Sequence, residues 1–367
     1  MLHLQKYLTC GIKPKQKLLS MDYDVTIGIP VYHVKDYIRQ TLDSALAQTF
    51  PNIEYLICDD CGTDGSMDIV REYQQSHPRG KDIHIVRQPH NMGIGEARNR
   101  MLEEAQGKYF YSLDADDVIM PNAIELLYRM AQKYQAELVY GSHERLFEDG
   151  DNRSVRQYLY PFKVFTQPDE YANYAYHEWI QVNNWNYLIN LDVIRRHQLR
   201  VAPVGHGYGE DFTFTVDLPT YVTRVVLLPD VTYRYCTVKS IHREKRRKKM
   251  SRSMMDAAIH AIDQKKWRME LKGKPYQAKR CSILMMYSYS FVRQIITRKG
   301  EVEPPYTSRE IRNIMRHPMT FVEIIHSKEA RLKNLLYGFF GILPPFLSVC
   351  LLNIIIRLTF INRYRLK

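Results

Sequence analysis

Residues 25–113 alternate short apolar strands with helix-forming segments, and this alternation constrains the fold more than any other feature of the chain. Parallel strands need a crossover connection, which a helix usually provides. We therefore predict an α/β fold in which a mostly parallel, Rossmann-like sheet carries helices on both faces. The predicted strands are 25–30, 53–58, 83–87 and 108–113, and the predicted helices are 37–47, 67–75 and 95–105.

Polar residues follow the predicted strands. Ligands of such sheets bind beyond the carboxyl ends of the strands, so we expect these residues to meet at one rim. The four clusters are Pro30-Val31-Tyr32, Asp59-Asp60, His90-Asn91 and Asp114-Ala115-Asp116.

The last of these clusters predicts a metal site. In an extended loop, residues two apart point the same way, so Asp114 and Asp116 would face a ligand while Ala115 faces the core. Carboxylates suit a hard cation that holds a diphosphate, so we expect Mn²⁺ or Mg²⁺ as the cofactor. For the triplet alone an alternative stays open, in which Asp117 caps a helix that begins near Pro121.

Two other clusters indicate nucleotide binding. Asp59 and Asp60 are placed to accept hydrogen bonds from a base or ribose, with a solvated turn as the alternative. Gly93 allows the backbone to pass close to a nucleotide, and Arg98 is available to a phosphate. The sequence around Gly93 lacks the third glycine of a dinucleotide-binding fingerprint, which excludes that class of site.

Cys58 and Cys61 flank the first acidic pair, but no second cysteine or histidine pair stands at zinc-finger spacing. We interpret them as small residues beside functional aspartates. The six cysteines are scattered and no signal segment opens the chain, which predicts a reducing, cytoplasmic setting.

A formal charge of +12 favours polyanionic partners: nucleic acid, anionic lipid or phosphorylated substrates. A nucleic-acid-binding module would interleave aromatic and basic residues, whereas the basic run 243–252 is separate from the aromatic-rich middle of the chain. We therefore expect no nucleic-acid partner.

Residues 334–356 carry no charge and are long enough to span a bilayer. Pro344 and Pro345 fall near the middle, which favours two shorter helices. An interfacial or re-entrant element, a true span and a buried hairpin all stay open. The basic residues that follow suit an anionic cytoplasmic leaflet, so we expect a peripheral or monotopic protein on the cytoplasmic face of the plasma membrane.

Several ordered motifs together resemble the family 2 glycosyltransferases of the GT-A fold. Residues 26–32 are similar to that family's first strand and following loop, and 58–66 to its DDGSTDGS element. Residues 91–100 are similar to its NxGxxxARN element, and 113–117 to its LDADD metal loop. Gly209-Glu210-Asp211 resembles the acidic pair that supplies the catalytic base.

The resemblance implies an inverting, metal-dependent transfer from a nucleotide-diphosphate sugar, expected to be a UDP-sugar, in polysaccharide or lipid-linked oligosaccharide biosynthesis. Asp211 would be the catalytic base beside Glu210, and Asp116 the best metal ligand, with Asp114. The acceptor would be a glycan or a polyprenyl-diphosphate-linked glycan. The implied donor-binding residues are Pro30, Tyr32, Asp59, Asp60, Gly93, Arg98, Asp114 and Ala115.

Two departures qualify the resemblance. Residues 233–241 lack the histidine that many relatives use to hold the metal or diphosphate, and His242 comes late. No QxxRW motif is present, which favours addition of single residues over processive synthesis. A metal-dependent nucleotidyltransferase is the main alternative, and a basic nucleic-acid-binding protein a lesser one. A nucleotidyltransferase would be expected to have a glycine-rich phosphate loop after the first strand.

These observations divide the chain into five parts. They are a basic lead (1–22), a nucleotide-sugar-binding half (23–145), an acceptor-binding half (146–240), a basic helical appendage (241–333) and an apolar, membrane-associated segment (334–367).

Overall fold

The computed structural model describes residues 23–149, 152–178, 183–202, 209–238, 251–298 and 302–365. The predicted basic lead, His242 and most of the basic run 243–252 lie outside these residues. The strands are β1 (Tyr23–Val31), β2 (Ile53–Asp59), β3 (Ile83–Arg87), β4 (Gly107–Ser112), β5 (Val118–Ile119), β6 (Leu138–Asp149), β7 (Asn152–Tyr158), β8 (Lys163–Phe165), β9 (Tyr187–Asn190) and β10 (Val225–Val238).

The helices fall into two groups, one around the sheet and one in the C-terminal part. The first group is α1 (Ile38–Leu46), α2 (Ser66–Ser76), α3 (Ile94–Glu104), α4 (Ala123–Tyr134), α5 (Glu170–His177), α6 (Leu191–Arg196) and α7 (Glu210–Thr215). The second group is α8 (Arg252–Lys266), α9 (Gln277–Thr297), α10 (Ser308–Ile314), α11 (Phe321–His326), α12 (Arg331–Ile342) and α13 (Pro345–Arg365).

The described strands form one sheet in the order β3-β2-β1-β4-β9-β6-β10-β5, with β7 beside β6 and β8 beside β10. Strands β1 to β4 are parallel, as predicted. Strand β9 is antiparallel to both β4 and β6, and β10 is parallel to β6 but antiparallel to β5 and β8. The sheet is therefore mixed, and the prediction of a mostly parallel sheet is wrong for its second half, where antiparallel pairs need no crossover helix.

Helices cover both faces of the first half of the sheet. Strand β1 is buried from Val25 to Val31, because helix side chains pack on both of its faces. Helices α1, α2 and α4 contribute side chains to one apolar cluster, and α3, α5 and α6 contribute to the other. The predicted strand–helix alternation is confirmed, with element ends within about two residues of their predicted positions.

The C-terminal helices surround a third apolar cluster, to which Phe212 of α7 and Val216 also belong. The chain breaks between α12 and α13 at Leu343 and Pro344, which confirms the prediction of two helices. Among the described helices, none is both long and apolar enough to cross a membrane.

Candidate active site

The loops after β1, β2 and β3 are joined by backbone hydrogen bonds at one rim of the sheet. The Asp60 amide donates to the Val31 carbonyl over 3.1 Å, and the Gln88 amide donates to the Asp59 carbonyl over 2.9 Å. On the first loop, Pro30 is buried while the exposed Tyr32 ring stacks on His33 with ring centres 4.2 Å apart. The predicted clusters therefore do meet at one rim.

Asp59 and Asp60 are both buried and both hold neighbouring loops. Asp60 accepts hydrogen bonds from the Met92 amide at 2.8 Å and from the Gly93 amide at 3.0 Å. Asp59 accepts one from the Cys61 amide at 2.9 Å, and its other oxygen lies 3.5 Å from Arg87 Nε. This pair is not a solvated turn, because its carboxylates fix the loops that line the rim.

Gly93 precedes helix α3 with a φ of +87°. A Cβ built on this residue would meet no atom within 4 Å. Backbone conformation, rather than lack of space, is therefore what favours glycine here. The open space beside it fits the predicted close approach of a ligand to this backbone.

Cys58 and Cys61 are both free thiols. Burial raises the pKa of Cys58 to about 12, with a further contribution from the Asp60 charge, which disfavours the thiolate that redox or metal chemistry needs. The Cys61 thiol lies 3.2 Å from the Gln88 carbonyl oxygen, which it reaches as a hydrogen-bond donor. These contacts agree with the interpretation of both cysteines as small residues beside the aspartate pair, without redox or zinc chemistry of their own.

The loop after β4 alternates as predicted. Ala115 is buried, while Asp114 and Asp116 on either side are partly exposed. The Thr41 hydroxyl donates to the carbonyls of Ala115 and Asp117, both at 2.9 Å, and so ties the loop to α1. The two outer carboxylates thus share the solvent side of the rim.

Asp117 does not cap a helix, because α4 begins only at Ala123. Its buried carboxylate accepts hydrogen bonds from the Tyr233 hydroxyl at 2.6 Å and from the Cys236 amide at 2.7 Å. Burial, together with the charges of Asp116 and Asp114, raises the pKa of Asp117 well above its usual value. The third aspartate therefore fastens β10 to the loop.

Arg98 on α3 bridges the rim at its centre. Its Nη2 lies 2.8 Å from Asp114 Oδ1 and its Nη1 lies 2.8 Å from Asp211 Oδ1, with Glu210 Oε1 at 3.9 Å. The side chain is only 6% exposed, so both ion pairs form largely out of water. The sequence led us to expect a phosphate partner, but in this structure the guanidinium joins the loop at Asp114 to the acidic pair.

The acidic pair lies on the short helix α7, which follows Gly209 with a φ of +89°. Glu210 is 5% exposed, and burial with the neighbouring Asp211 charge raises its pKa to about 7. The Asp211 side chain is 35% exposed, and its pKa is raised by burial against the opposing effect of Arg98. Asp211 is therefore the more accessible carboxylate, and a raised pKa suits a group that accepts a proton.

The rim residues fit a divalent metal that also binds a diphosphate. Asp114 and Asp116 supply hard oxygen donors on one side of the loop, and Mg²⁺ commonly takes one or two carboxylates together with substrate phosphates. Asp114 Oδ1 is paired with Arg98 Nη2 at 2.8 Å. Across the described residues, no three histidine, cysteine, aspartate or glutamate side chains form a group able to hold a metal.

Trp185 and Tyr233 are site residues that the motifs did not indicate. Their rings stack with centres 4.5 Å apart, and Tyr235 lies 5.5 Å from Trp185 on a parallel plane. The Tyr233 hydroxyl donates a hydrogen bond to Asp117, so this aromatic stack supports the loop that carries Asp114, Asp116 and Asp117. Aromatic enrichment in the second half of the chain was the only sequence signal for it.

Residues 26–182 match the model of Glycosyl transferase family 2. The chain contains a family 2 glycosyltransferase domain. The match covers the rim loops after β1 to β4, including the Arg98 and Asp114 pair, and it confirms the family that the motifs indicated. It ends before Glu210 and Asp211, whose placement rests on the structure.

Curated relatives are bacterial glycosyltransferases. The chain is 35% identical over 126 residues to the putative teichuronic acid biosynthesis glycosyltransferase TuaG of Bacillus subtilis, covering 34% of this chain and 49% of that one. It is 30% identical over 213 residues to the putative glycosyltransferase EpsH of the same organism, covering 58% of this chain and 60% of that one. The chain thus spans less than two thirds of the length of either relative.

A solved structure shares the fold. The crystal structure of residues 1–349 of S. aureus TarS in complex with UDP superposes with a TM-score of 0.59 at 17% identity, covering 87% of this chain and 90% of that one. This likeness supports the predicted GT-A type of fold, with a mixed sheet in place of the mostly parallel one that we predicted. It extends beyond the family match into the C-terminal helices.

We predict that Glu210→Gln stabilises the protein increasingly as pH rises. The native state holds the Glu210 proton up to about pH 7, whereas an unfolded chain releases it near pH 4.5. Ionisation therefore costs the wild type folding free energy as pH rises through this window, by up to about 3 kcal/mol above it. Denaturant unfolding of both proteins at pH 5 and pH 8 measures the difference.

The control is Glu125→Gln, which removes an exposed carboxylate on α4. Its stability relative to the wild type should stay nearly constant between the two pH values. An equal gain for Glu210→Gln at pH 5 and pH 8 would contradict the raised pKa.

Proposed function

We propose that this protein transfers a sugar from a nucleotide-diphosphate sugar to an acceptor hydroxyl, with inversion at the anomeric carbon. The observation that carries the proposal is the rim itself, where Arg98 joins the metal loop at Asp114 to the acidic pair at Asp211 over two contacts of 2.8 Å. One end of this arrangement suits a diphosphate and its metal, and the other suits an acceptor hydroxyl. Family membership supports the same class of reaction.

In the proposed reaction, Asp211 takes the proton of the acceptor hydroxyl as its oxygen bonds to the anomeric carbon. The bond from that carbon to the donor diphosphate breaks, and the electron pair leaves with the nucleoside diphosphate. Attack from the side opposite the leaving group inverts the anomeric configuration. Arg98 holds Asp211 in place, and a positioned base of this kind typically contributes on the order of a hundred to ten thousand fold in rate.

A divalent metal would neutralise charge on the departing diphosphate. Asp116 would hold it, with Asp114 Oδ2 available as a second oxygen donor. Both carboxyl oxygens of Asp117 already accept hydrogen bonds, from the Tyr233 hydroxyl and the Cys236 amide, so we assign it no ligand role.

We propose a UDP-sugar as donor and a bacterial polysaccharide or lipid-linked oligosaccharide as product. TarS has been crystallised with UDP and with UDP-GlcNAc, which supports a UDP-sugar as the donor. TuaG is described as a putative teichuronic acid biosynthesis glycosyltransferase, which supports a bacterial polysaccharide as the product. A nucleotidyltransferase would instead release pyrophosphate, so the products of the reaction separate the two alternatives.

We predict that the wild type releases free nucleoside diphosphate from at least one member of a panel of nucleotide sugars, and that Asp211→Asn lowers turnover at least a hundredfold. Donor affinity should stay within about twofold, because the base faces the acceptor side. Turnover assays and calorimetry with the donor measure both quantities.

The matched control is Asp192→Asn, which alters an exposed carboxylate on α6. It should retain wild-type turnover. Pyrophosphate as the product would contradict the proposed reaction, and undiminished turnover in Asp211→Asn would remove the base assignment alone.

We predict that Asp116→Ala weakens donor binding tenfold or more in Mn²⁺ and does not weaken metal-free binding, because the lost carboxylate acts through the metal and, without a metal, only adds negative charge to the rim. Calorimetry of the wild type and of Asp116→Ala, each in Mn²⁺ and in EDTA, measures the four donor affinities that the prediction compares. If the donor affinity of the wild type were the same with and without EDTA, metal-dependent donor binding would be contradicted. An equal loss with and without metal would show that Asp116 acts in another way.

We also propose that the C-terminal helices rest on an anionic membrane surface, where a polyprenyl-diphosphate-linked acceptor would lie. Leu332, Leu336 and Phe339 follow helical spacing and form one apolar face of α12. Leu332 is 83% exposed, and Phe346 at the start of α13 is 76% exposed. Arg331 and Lys333 are exposed beside this face, and their charges suit acidic headgroups.

We predict that the full chain floats with vesicles of phosphatidylglycerol and phosphatidylcholine, and binds less to phosphatidylcholine alone. Changing Leu332, Leu336 and Phe339 together to glutamine should abolish flotation, because it removes the apolar face. The control is Phe162→Gln, which alters an exposed aromatic residue on the catalytic part and should float like the wild type. Equal flotation of all variants would contradict the proposed surface.

A further inference from the structure

Helix α7, which carries Glu210 and Asp211, lies between two apolar cores. Its Phe214 side chain packs in a cluster on one face of the sheet. Its Phe212 side chain packs instead in the cluster built by the C-terminal helices, together with Val216 just after the helix. The acidic pair therefore stands on a helix that both parts of the protein hold.

The second contact is a close aromatic stack. The rings of Phe212 on α7 and Tyr287 on α9 are nearly parallel, with centres 3.4 Å apart. Phe291, one turn further along α9, lies near the position that a Cβ on Gly209 would occupy. Burial and the charge of Asp211 raise the pKa of Tyr287 to about 12, as expected for a phenol beside that carboxylate.

A buried ion cluster fixes the end of the same segment. Asp217 accepts hydrogen bonds from Arg280 on α9, at 2.8 Å from Nη2 and 3.1 Å from Nε. Arg268 Nη1 lies 3.1 Å from Asp217 Oδ2, and Lys265 Nζ lies 3.3 Å from it. Burial alone would raise the pKa of Asp217, but Arg280 and Lys265 hold it below its usual value.

Helix α7 needs these contacts because it cannot hold its own position. It has six residues, far fewer than an isolated helix needs in water, and no side chain caps its N-terminus. Catalytic groups must be held within about 0.5 Å of their productive geometry, and a displacement of about 1 Å can cost on the order of a hundredfold in rate. The side chains that pack on α7 therefore control the position and orientation of the Asp211 carboxylate.

We propose that the C-terminal helices are a working part of the transfer site, in which Tyr287 and Arg280 are positioning residues that fix α7. The inference rests on the proposed function, since it concerns the position of Asp211, the proposed base. It assigns the C-terminal helices a role in catalysis that is separate from the proposed membrane contact, because Tyr287 and Arg280 lie on α9 and face the sheet domain.

The test compares two tyrosines on the same helix. Tyr287→Ala removes the stack on Phe212, whereas Tyr289→Ala removes a tyrosine of α9 whose ring lies 6.3 Å from Tyr337, within the helical part. We expect Tyr287→Ala to lower kcat at least tenfold with donor KM within about twofold, and Tyr289→Ala to keep the wild-type kcat. Tyr287→Phe keeps the ring and should recover most of the loss.

Hydrogen exchange provides a readout that does not need activity. Amides 211–216 should exchange at least tenfold faster in Tyr287→Ala than in Tyr289→Ala, while amides of β1 remain equally protected. If Tyr287→Ala does not fold, Tyr287→Leu keeps apolar volume and removes the stack. Arg280→Met gives an independent second variant with the same expected loosening of α7.

The possible failures are distinguishable. A wild type that releases no nucleoside diphosphate contradicts the proposed function, while the exchange comparison still decides whether Tyr287 fixes α7. Equal exchange of residues 211–216 in the two alanine variants overturns the inference, even if the wild type is active. The inference is also overturned if the wild type is active and Tyr287→Ala has the same kcat as the wild type and Tyr289→Ala, although its amides 211–216 exchange faster. The reaction would then tolerate the movement of α7.

Discussion

The ion pairs of Arg98 are the interaction on which the site depends. A single guanidinium joins Asp114, just after a sheet strand, to Asp211, which lies on a separate short helix 113 residues after Arg98. Two carboxylates this close would repel each other and disfavour their own ionisation. The buried Arg98 guanidinium between them joins the Asp114 loop and helix α7 into one site, and it sets the distance between the Asp114 and Asp211 carboxylates.

Much of the first half of the structure could be predicted because its signals are local. Strand and helix periods between residues 25 and 113 are read within each element, and alternation within the loop at Asp114 follows from backbone geometry alone. The second half could not be predicted this way. Strand β9 enters between β4 and β6 through pairings distant in sequence, and no local pattern fixes the direction of such a strand.

The site shows the same division. Motifs indicated which residues meet at the rim, but the partners of those residues were set by tertiary structure. Asp117 was open to a local interpretation as a helix cap, yet it bonds to Tyr233 and Cys236 more than a hundred residues away. Arg98 was expected to face a phosphate, and its carboxylate partners lie on elements that no spacing rule connects.

Charge balance explains why the proposed donor would need a metal in a protein with an overall charge of +12. The rim collects Asp114, Asp116, Glu210 and Asp211, and Arg98 already donates hydrogen bonds to two of them, Asp114 and Asp211. The raised pKa of Glu210 removes part of this charge near neutral pH, since burial and the neighbouring Asp211 charge disfavour the charged form of this carboxyl. A diphosphate would bring further negative charge to the same rim. Asp114 and Asp116 would then act together as a carboxylate pair that repels a bare diphosphate and accepts one that arrives with Mn²⁺ or Mg²⁺.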